Sequence, residues 1–126
     1  MNFELTSEIE AIRDTARKFA QKEIMPRVAQ DEENHAFQED LVKKMGALGF
    51  FGCPIPEEYG GSDLGFLAHT VATEEISRVS GSLRAAFNMQ TMGVAREIFQ
   101  FGTEEQKKKY IPELVSARHL GCIGIT

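Results

Sequence analysis

The sequence predicts an all-α fold, a bundle of about six helices over residues 1–118, with the first strand of a β-domain beginning at 119–126. Three observations carry this. Apolar residues recur at three- and four-residue spacing through most of the chain, and capping residues stand where those periodic segments begin. The tail from Leu120 to Thr126 instead alternates with period two.

The first stripe is Ile9, Ile12, Ala16, Phe19 and Ala20, one apolar face of a helix. Ser7 with Glu10 fits a capping box, and Thr6 fits the N-cap equally well. Pro26 disfavours helical angles at Met25, so this helix yields near Glu23-Ile24-Met25, and Pro26 can open a short second helix. Gln38 to Leu48 reads as a third, with Leu41, Met45 and Leu48 inward and Gly49 as a left-handed stop. Phe50 to Asp63 is a long connector, and its aromatics Phe50, Phe51 and Tyr59 predict that it packs on the protein.

Helical patterns resume over Gly65–Val79 and Leu83–Phe101, with Gly81 and Ser82 between them. Gly102 ends the latter, and Thr103-Glu104-Glu105-Gln106 is a capping box for a last helix. That helix is expected to turn Tyr110, Leu114 and Val115 inward and to kink or break at Pro112. Lys107-Lys108-Lys109 behind Glu104-Glu105 reads as a solvated face with helical charge pairing.

The whole chain has 126 residues, 42% apolar and 26% charged, enough for one soluble domain with its own core. A net charge of −5 spread along the chain, without a basic stripe, excludes a nucleic-acid binder. Cys53 and Cys122 each lie beside apolar residues without metal-ligand spacing, so reduced, buried thiols are expected, and neither a disulfide nor a metal site. No apolar run approaches the ~20 residues of a membrane span. The N-terminus has neither the basic flank and apolar core of a signal peptide nor the arginines of a transit peptide. A cytoplasmic protein without membrane contact is expected. A strand at 120–126 would leave backbone groups unpaired in a helical bundle, so a second domain is expected to begin there.

Leu83 to Ala95 is apolar nearly all round, which predicts a helix buried on every side. Arg84, Asn88 and Thr91 nevertheless fall on one line of it, at i, i+4 and i+7. Such groups need hydrogen bonds. Either Arg84 pairs with an acidic residue and Asn88 with backbone, or the line faces a cavity holding something polar. Gly93 and the alanines suit both arrangements.

Several motifs, in order and at ordinary spacing, resemble one family. Pro56-Glu57-Glu58-Tyr59-Gly60-Gly61 resembles a loop signature of the acyl-CoA dehydrogenases. Gly102 to Pro112 is similar to the segment before their β-domain, and Leu120 to Thr126 to the strand that approaches their flavin. The resemblance covers essentially the whole chain. It implies an FAD-dependent enzyme with an N-terminal helical, a middle β and a C-terminal helical domain, assembled as a homotetramer. Such an enzyme removes a proton α to the thioester while a hydride passes from the β-carbon to flavin N5. Electrons then go to an electron-transfer flavoprotein or a similar acceptor. The family's catalytic carboxylate lies in the C-terminal domain, so no catalytic residue is expected here and the 126-residue chain alone is not expected to be active. Glu57 and Glu58 belong to the loop motif, where a solvated turn is the expected role.

The resemblance also assigns residues. Ile123, Ile125 and Thr126 match the strand that touches the isoalloxazine ring, through backbone groups and the threonine hydroxyl. Arg84, Ala85, Asn88, Met89 and Met92 match the floor of the acyl pocket, facing the distal end of the acyl chain. Most members are apolar at the position of Arg84, whereas glutaryl-CoA dehydrogenases carry an arginine that grips a distal carboxylate. Ala85 departs from that subgroup, where a hydroxyl residue can assist the arginine. The expected substrate is glutaryl-CoA or a related dicarboxyl-CoA. Plain short-chain or alicyclic acyl-CoA is the alternative within the family, and a non-catalytic helical interaction module the alternative outside it.

Overall fold

Thr6, rather than Ser7, caps the first helix: its extended backbone brings the hydroxyl to the Ile9 amide at 3.4 Å. The computed structural model describes residues 4–125. Helix α1 (Ser7–Phe19) has Glu8 and Glu10 in its first turn and Arg17 and Lys18 in its last, complementing the helix dipole. It continues as a π-wound turn, Ala20–Ile24, and ends before Pro26. A short α2 (Val28–Glu33) follows and buries nothing. Helix α3 (Glu39–Ala47) buries Leu41, Val42 and Met45. Leu48, expected inward, is exposed because it stands at the C-cap, past the last packed turn, and Gly49 then reverses the chain at φ 76°.

The connector does pack on the protein. It forms two 3₁₀ turns, Phe50–Gly52 and Glu57–Tyr59, and buries Phe50, Phe51 and Tyr59, while Glu57 and Glu58 face solvent. The Tyr59 hydroxyl donates to Glu104 Oε2 at 2.8 Å, which ties the connector to the start of the last helix.

Helix α4 (Gly65–Ser77) leads to α5 (Gly81–Asn88). Gly81 opens α5 instead of separating two helices, because the Ser80 hydroxyl caps the Leu83 amide at 3.1 Å. Helix α5 runs without a break through a π-wound stretch, Met89–Ala95, into α6 (Arg96–Phe101). Thr103 and Gln106 form the expected capping box of α7 (Glu104–Val115). Helix α7 does not break at Pro112 but continues to Val115, the one bond lost being the one that residue 112 would make to the carbonyl of exposed Lys108. Tyr110 is largely outside; Ile111 takes the inward place beside Leu114 and Val115. With α5, its π stretch and α6 counted as one rod, the described residues hold six helices.

The main core lies between α1, α3, α4, α5 and the connector. Phe50 meets Phe19 edge-on at 6.0 Å between centroids and Phe87 at 6.4 Å, and Phe51 lies 5.5 Å from Phe87. A charge is stitched into the α1–α4 contact: Glu75, with its side chain 4% exposed, accepts from Arg17 Nε at 3.1 Å and Nη2 at 2.9 Å. A second cluster, including Ile55, Tyr59, Ala95 and Ile111, joins the connector to α7.

The two cysteines part company. Burial pushes the Cys53 thiol up to about 11, as for an inert core thiol, whereas Cys122 is exposed, contrary to expectation. Residues 119–125 carry no regular structure, since the expected strand has no neighbour to pair with among the described residues. Among the described residues no helix is long and apolar enough to cross a membrane, and no group of three His, Cys, Asp or Glu side chains is placed to hold a metal ion.

Candidate functional site

Leu83 and Phe87 anchor α5 in the core, and the helical period then fixes what its other face presents. Arg84, Ala85, Asn88, Met89 and Met92 fall together on that outer face. The expectation of a helix buried on every side fails here: Ala85 is exposed, Met89 is 40% exposed, and Arg84, Asn88 and Met92 are half-buried. An apolar strip therefore stands open, in a helix whose opposite side is sealed.

Thr91 leaves the line predicted with Arg84 and Asn88. It is fully buried and its hydroxyl has no hydrogen-bond partner among the described residues. The cause is the π winding of Met89–Ala95, whose wider turns advance each residue less around the axis than an α-helix would.

Neither arrangement considered for Arg84 as a structural residue occurs. It forms no ion pair with an acidic side chain among the described residues. Asn88 bonds to side chains rather than backbone: its Oδ1 accepts from His69 Nε2 at 3.1 Å and from Thr73 Oγ1 at 3.3 Å. A carbonyl oxygen can only accept, so the His69 proton sits on Nε2 and the buried Nδ1 is left with an unshared lone pair. Burial lowers the His69 pKa against the opposing pull of Asn88, which keeps the ring neutral. His69 also lies 4.7 Å from the Phe87 ring, which ties this polar pair to the core.

Phe66, His69, Thr70, Thr73, Asn88 and Met92 line a hollow of about 350 Å³ between α4 and α5. Larger hollows lie elsewhere, one of 440 Å³ beside Phe101 and Tyr110 and one of 430 Å³ between Phe19 and Lys44, and neither contains an expected site residue. Asn88 and Met92 belong both to this hollow and to the outer face of α5, on which the unpaired Arg84 stands one helical turn before Asn88. That set suits an elongated apolar group with an anionic end. Thr73 Oγ1 also lies 3.4 Å from His69 Nε2, but that nitrogen carries the proton donated to Asn88 and so offers the hydroxyl no base.

The second expected group lies against the same rod. Ile123 Cδ1 would come within 3.0 Å of a Cβ placed on Gly93, and Met89 Sδ within 2.6 Å of it, so a side chain there would displace both. Gly93 thus lets the tail and Met89 meet over one bare turn of helix. Ile123 is half exposed and Ile125 is 86% exposed, so the tail presents apolar surface. Thr126 lies outside the described residues.

Three residues of this region escaped the sequence: His69, Thr73 and Gln90. His69 and Thr73 reach Asn88 across 19 and 15 positions, and no local spacing announces that. Gln90 had one usable signal, a long polar side chain on an otherwise apolar helix; it is buried and bonds the tail through its amide.

Residues 6–118 match the family model of the acyl-CoA dehydrogenase N-terminal domain. The chain is 48% identical to a glutaryl-CoA dehydrogenase of Desulfococcus multivorans, across all of this chain and 33% of that protein. It superposes with a TM-score of 0.92 and 44% identity on a glutaryl-CoA dehydrogenase solved in complex with glutaryl-CoA, covering 96% of this chain and 31% of that one. An acyl-CoA dehydrogenase of Bacillus anthracis complexed with FAD matches with a TM-score of 0.84 and 34% identity, over 93% of this chain and 20% of that one. The chain spans about a third of the length of the curated relative it matches.

Proposed function

The chain belongs to the acyl-CoA dehydrogenase family, as an N-terminal domain, and from this we propose that it supplies the acyl-pocket floor and one flavin contact of an FAD-dependent dehydrogenase. The reaction is oxidation of the α,β C–C bond of an acyl-CoA, and the substrate is glutaryl-CoA or a related dicarboxyl-CoA. One observation carries the substrate: Arg84 stands without an acidic partner among the described residues on the outer face of α5, one helical turn before Asn88, which with Met92 lines the hollow. A carboxylate at the far end of a short acyl chain supplies what that guanidinium lacks, in matching fork geometry. A plain acyl chain would leave it facing hydrocarbon, so the same residue selects against that class.

The chain's own residues bind and orient. Ala85, Met89 and Met92 cover the methylenes and exclude water; Arg84 holds the distal carboxylate and so fixes how deep the chain sits. Asn88, turned by His69 and Thr73, keeps its carbonyl oxygen inward, which leaves its amide N–H groups for the ligand side. Ile123, Ile125 and Thr126 are the residues of this chain that would hold the flavin ring. FAD would supply the acceptor for the hydride of the β-carbon, and a carboxylate of a C-terminal domain would take the α-proton. The complete enzyme is a cytoplasmic homotetramer that passes its electrons to an electron-transfer flavoprotein or similar acceptor.

The test is Arg84→Ala in the complete enzyme. The expected kcat/KM for glutaryl-CoA falls about 10- to 100-fold, while that for butyryl-CoA changes by less than about threefold. Equal losses on both would make Arg84 structural and leave a plain acyl-CoA as the substrate.

A further inference from the structure

We propose that Gln90 is a positioning residue that fixes the flavin-side tail at one height on the acyl-pocket helix, an inference that rests on the reading of those two groups given above. Gln90 is 3% exposed, and its amide is committed on both sides. Nε2 donates to the Leu114 carbonyl at 2.7 Å and to the His119 carbonyl at 2.8 Å, and Oε1 accepts from the Gly121 N–H at 2.8 Å. These directions leave no freedom to flip the amide, since carbonyls only accept and a backbone N–H only donates.

The bonds reach three places: the end of α7, the turn after it, and the tail itself. His119 and Gly121 belong to no helix or ladder, so Gln90 supplies there what a neighbouring strand would otherwise supply. Leaving a buried amide unmatched is costly, which makes the pairing selective for one register. Steric contact sets the same register. A Cβ on Gly121 would lie 2.8 Å from three carbon atoms of Val94, and one on Gly93 would strike Met89 and Ile123. Gln90 falls on the inner face with Leu83 and Phe87, at i, i+4 and i+7, and it directly follows Met89, which is assigned to the acyl wall.

The consequence concerns distance. A pocket floor that places the acyl chain and a tail that meets the flavin must be held at fixed separation for hydride transfer. A misplacement on the order of 1 Å costs about 100-fold in rate. Gln90 is the polar tie between the two. It touches neither substrate nor cofactor and acts through Gly121 and His119.

The experiment compares wild type, Gln90→Met and Gln90→Glu in the complete, FAD-loaded enzyme. Methionine keeps the length and removes all three bonds. Glutamate keeps an acceptor for Gly121 but sets a carboxylate against two carbonyl oxygens. Amide hydrogen exchange over 119–123, the visible band of the bound flavin with and without acyl-CoA, and separate kcat and KM values are read. In both variants the tail loses exchange protection while α1 keeps its own, and the flavin band with bound acyl-CoA moves. The kcat falls about 10- to 100-fold with KM changed by less than about threefold. Should the methionine variant fail to fold, the glutamate variant decides alone. Lower thermal stability with unchanged tail exchange, flavin band and kcat overturns the proposal and makes Gln90 an ordinary core residue. A wild-type enzyme that neither binds flavin nor oxidises acyl-CoA overturns instead the family-based reading on which it rests.

Discussion

On the inner side of α5, Leu83 and Phe87 are sealed among Phe50, Phe51 and Ile76; on its outer side, one or two residues away, Ala85 and Met89 stand open. Both sides carry apolar residues, and those residues alone do not distinguish them. They differ in what completes them. The inner side finds its partners within the described chain, and the outer side has an unpaired arginine at one end and an oriented amide in its middle. An apolar stripe that keeps a charge in its line, with no countercharge on neighbouring helices, is a surface shaped for a ligand rather than part of a core.

The largest expected effect separates the two sides by stability. Phe87→Ala removes a fully buried ring that touches Phe50, Phe51 and His69, and is expected to cost about 3–5 kcal/mol in denaturant unfolding. Met89→Ala, half outside, should cost less than about 1 kcal/mol and show instead in KM for the acyl-CoA. Comparable losses from both would end the distinction between the faces.

The second effect contrasts two arginines. Arg17 holds the Glu75 carboxyl below its usual range through a two-pronged hydrogen bond and charge attraction, while burial works in the opposite direction. A carboxyl lowered in the folded state contributes stability that is fully present above its unfolded value of about 4.3, and loses it as pH falls through the lower folded value. Arg17→Ala should therefore unfold more easily at pH 7, with the difference from wild type closing once the pH drops below 4.3 toward that folded value. Arg84→Ala, which breaks no ion pair, should run parallel to wild type over the same range. Urea midpoints at a series of pH values distinguish the two; an acid-dependent difference for Arg84→Ala would mean that it has a carboxylate partner after all.

How much of this was legible in the sequence depends on the range of the interaction. Helix positions, the Thr103–Gln106 capping box, the Gly49 stop and the burial of Phe50, Phe51 and Tyr59 follow from neighbours within a few residues. Arg84 and Asn88 were readable as one line because an α-helix has a fixed period, Ala85, Met89 and Met92 came only from the family resemblance, and Thr91 was misplaced because the period changes at Met89. Leu48 was misplaced because the apolar pattern runs on to the C-cap of α3, where packing stops, and Cys122 because it lies in the irregular tail well past the end of α7. The His69–Asn88 pair and the Gln90 clamp join residues 19 to 31 positions apart, beyond any local signal.

The smallest effect tests the outer face at its weakest point. Ala85 follows Arg84 directly in the chain, and it is exposed, so a serine there meets no packed neighbour. Ala85→Ser should change stability by only about 0.5 kcal/mol, the difference in helix propensity. On the ligand side it adds one donor beside Arg84, aimed at the same carboxylate. One added hydrogen bond to a charged group raises kcat/KM for glutaryl-CoA by about 10-fold at most, and leaves butyryl-CoA unchanged. Because the arginine already neutralises the carboxylate, the gain should vanish in Arg84→Ala/Ala85→Ser, where the hydroxyl has no anchored carboxylate to meet. A gain that persists in the double variant would mean that the serine acts on the helix rather than the ligand, and that the outer face does not read the far end of the acyl chain.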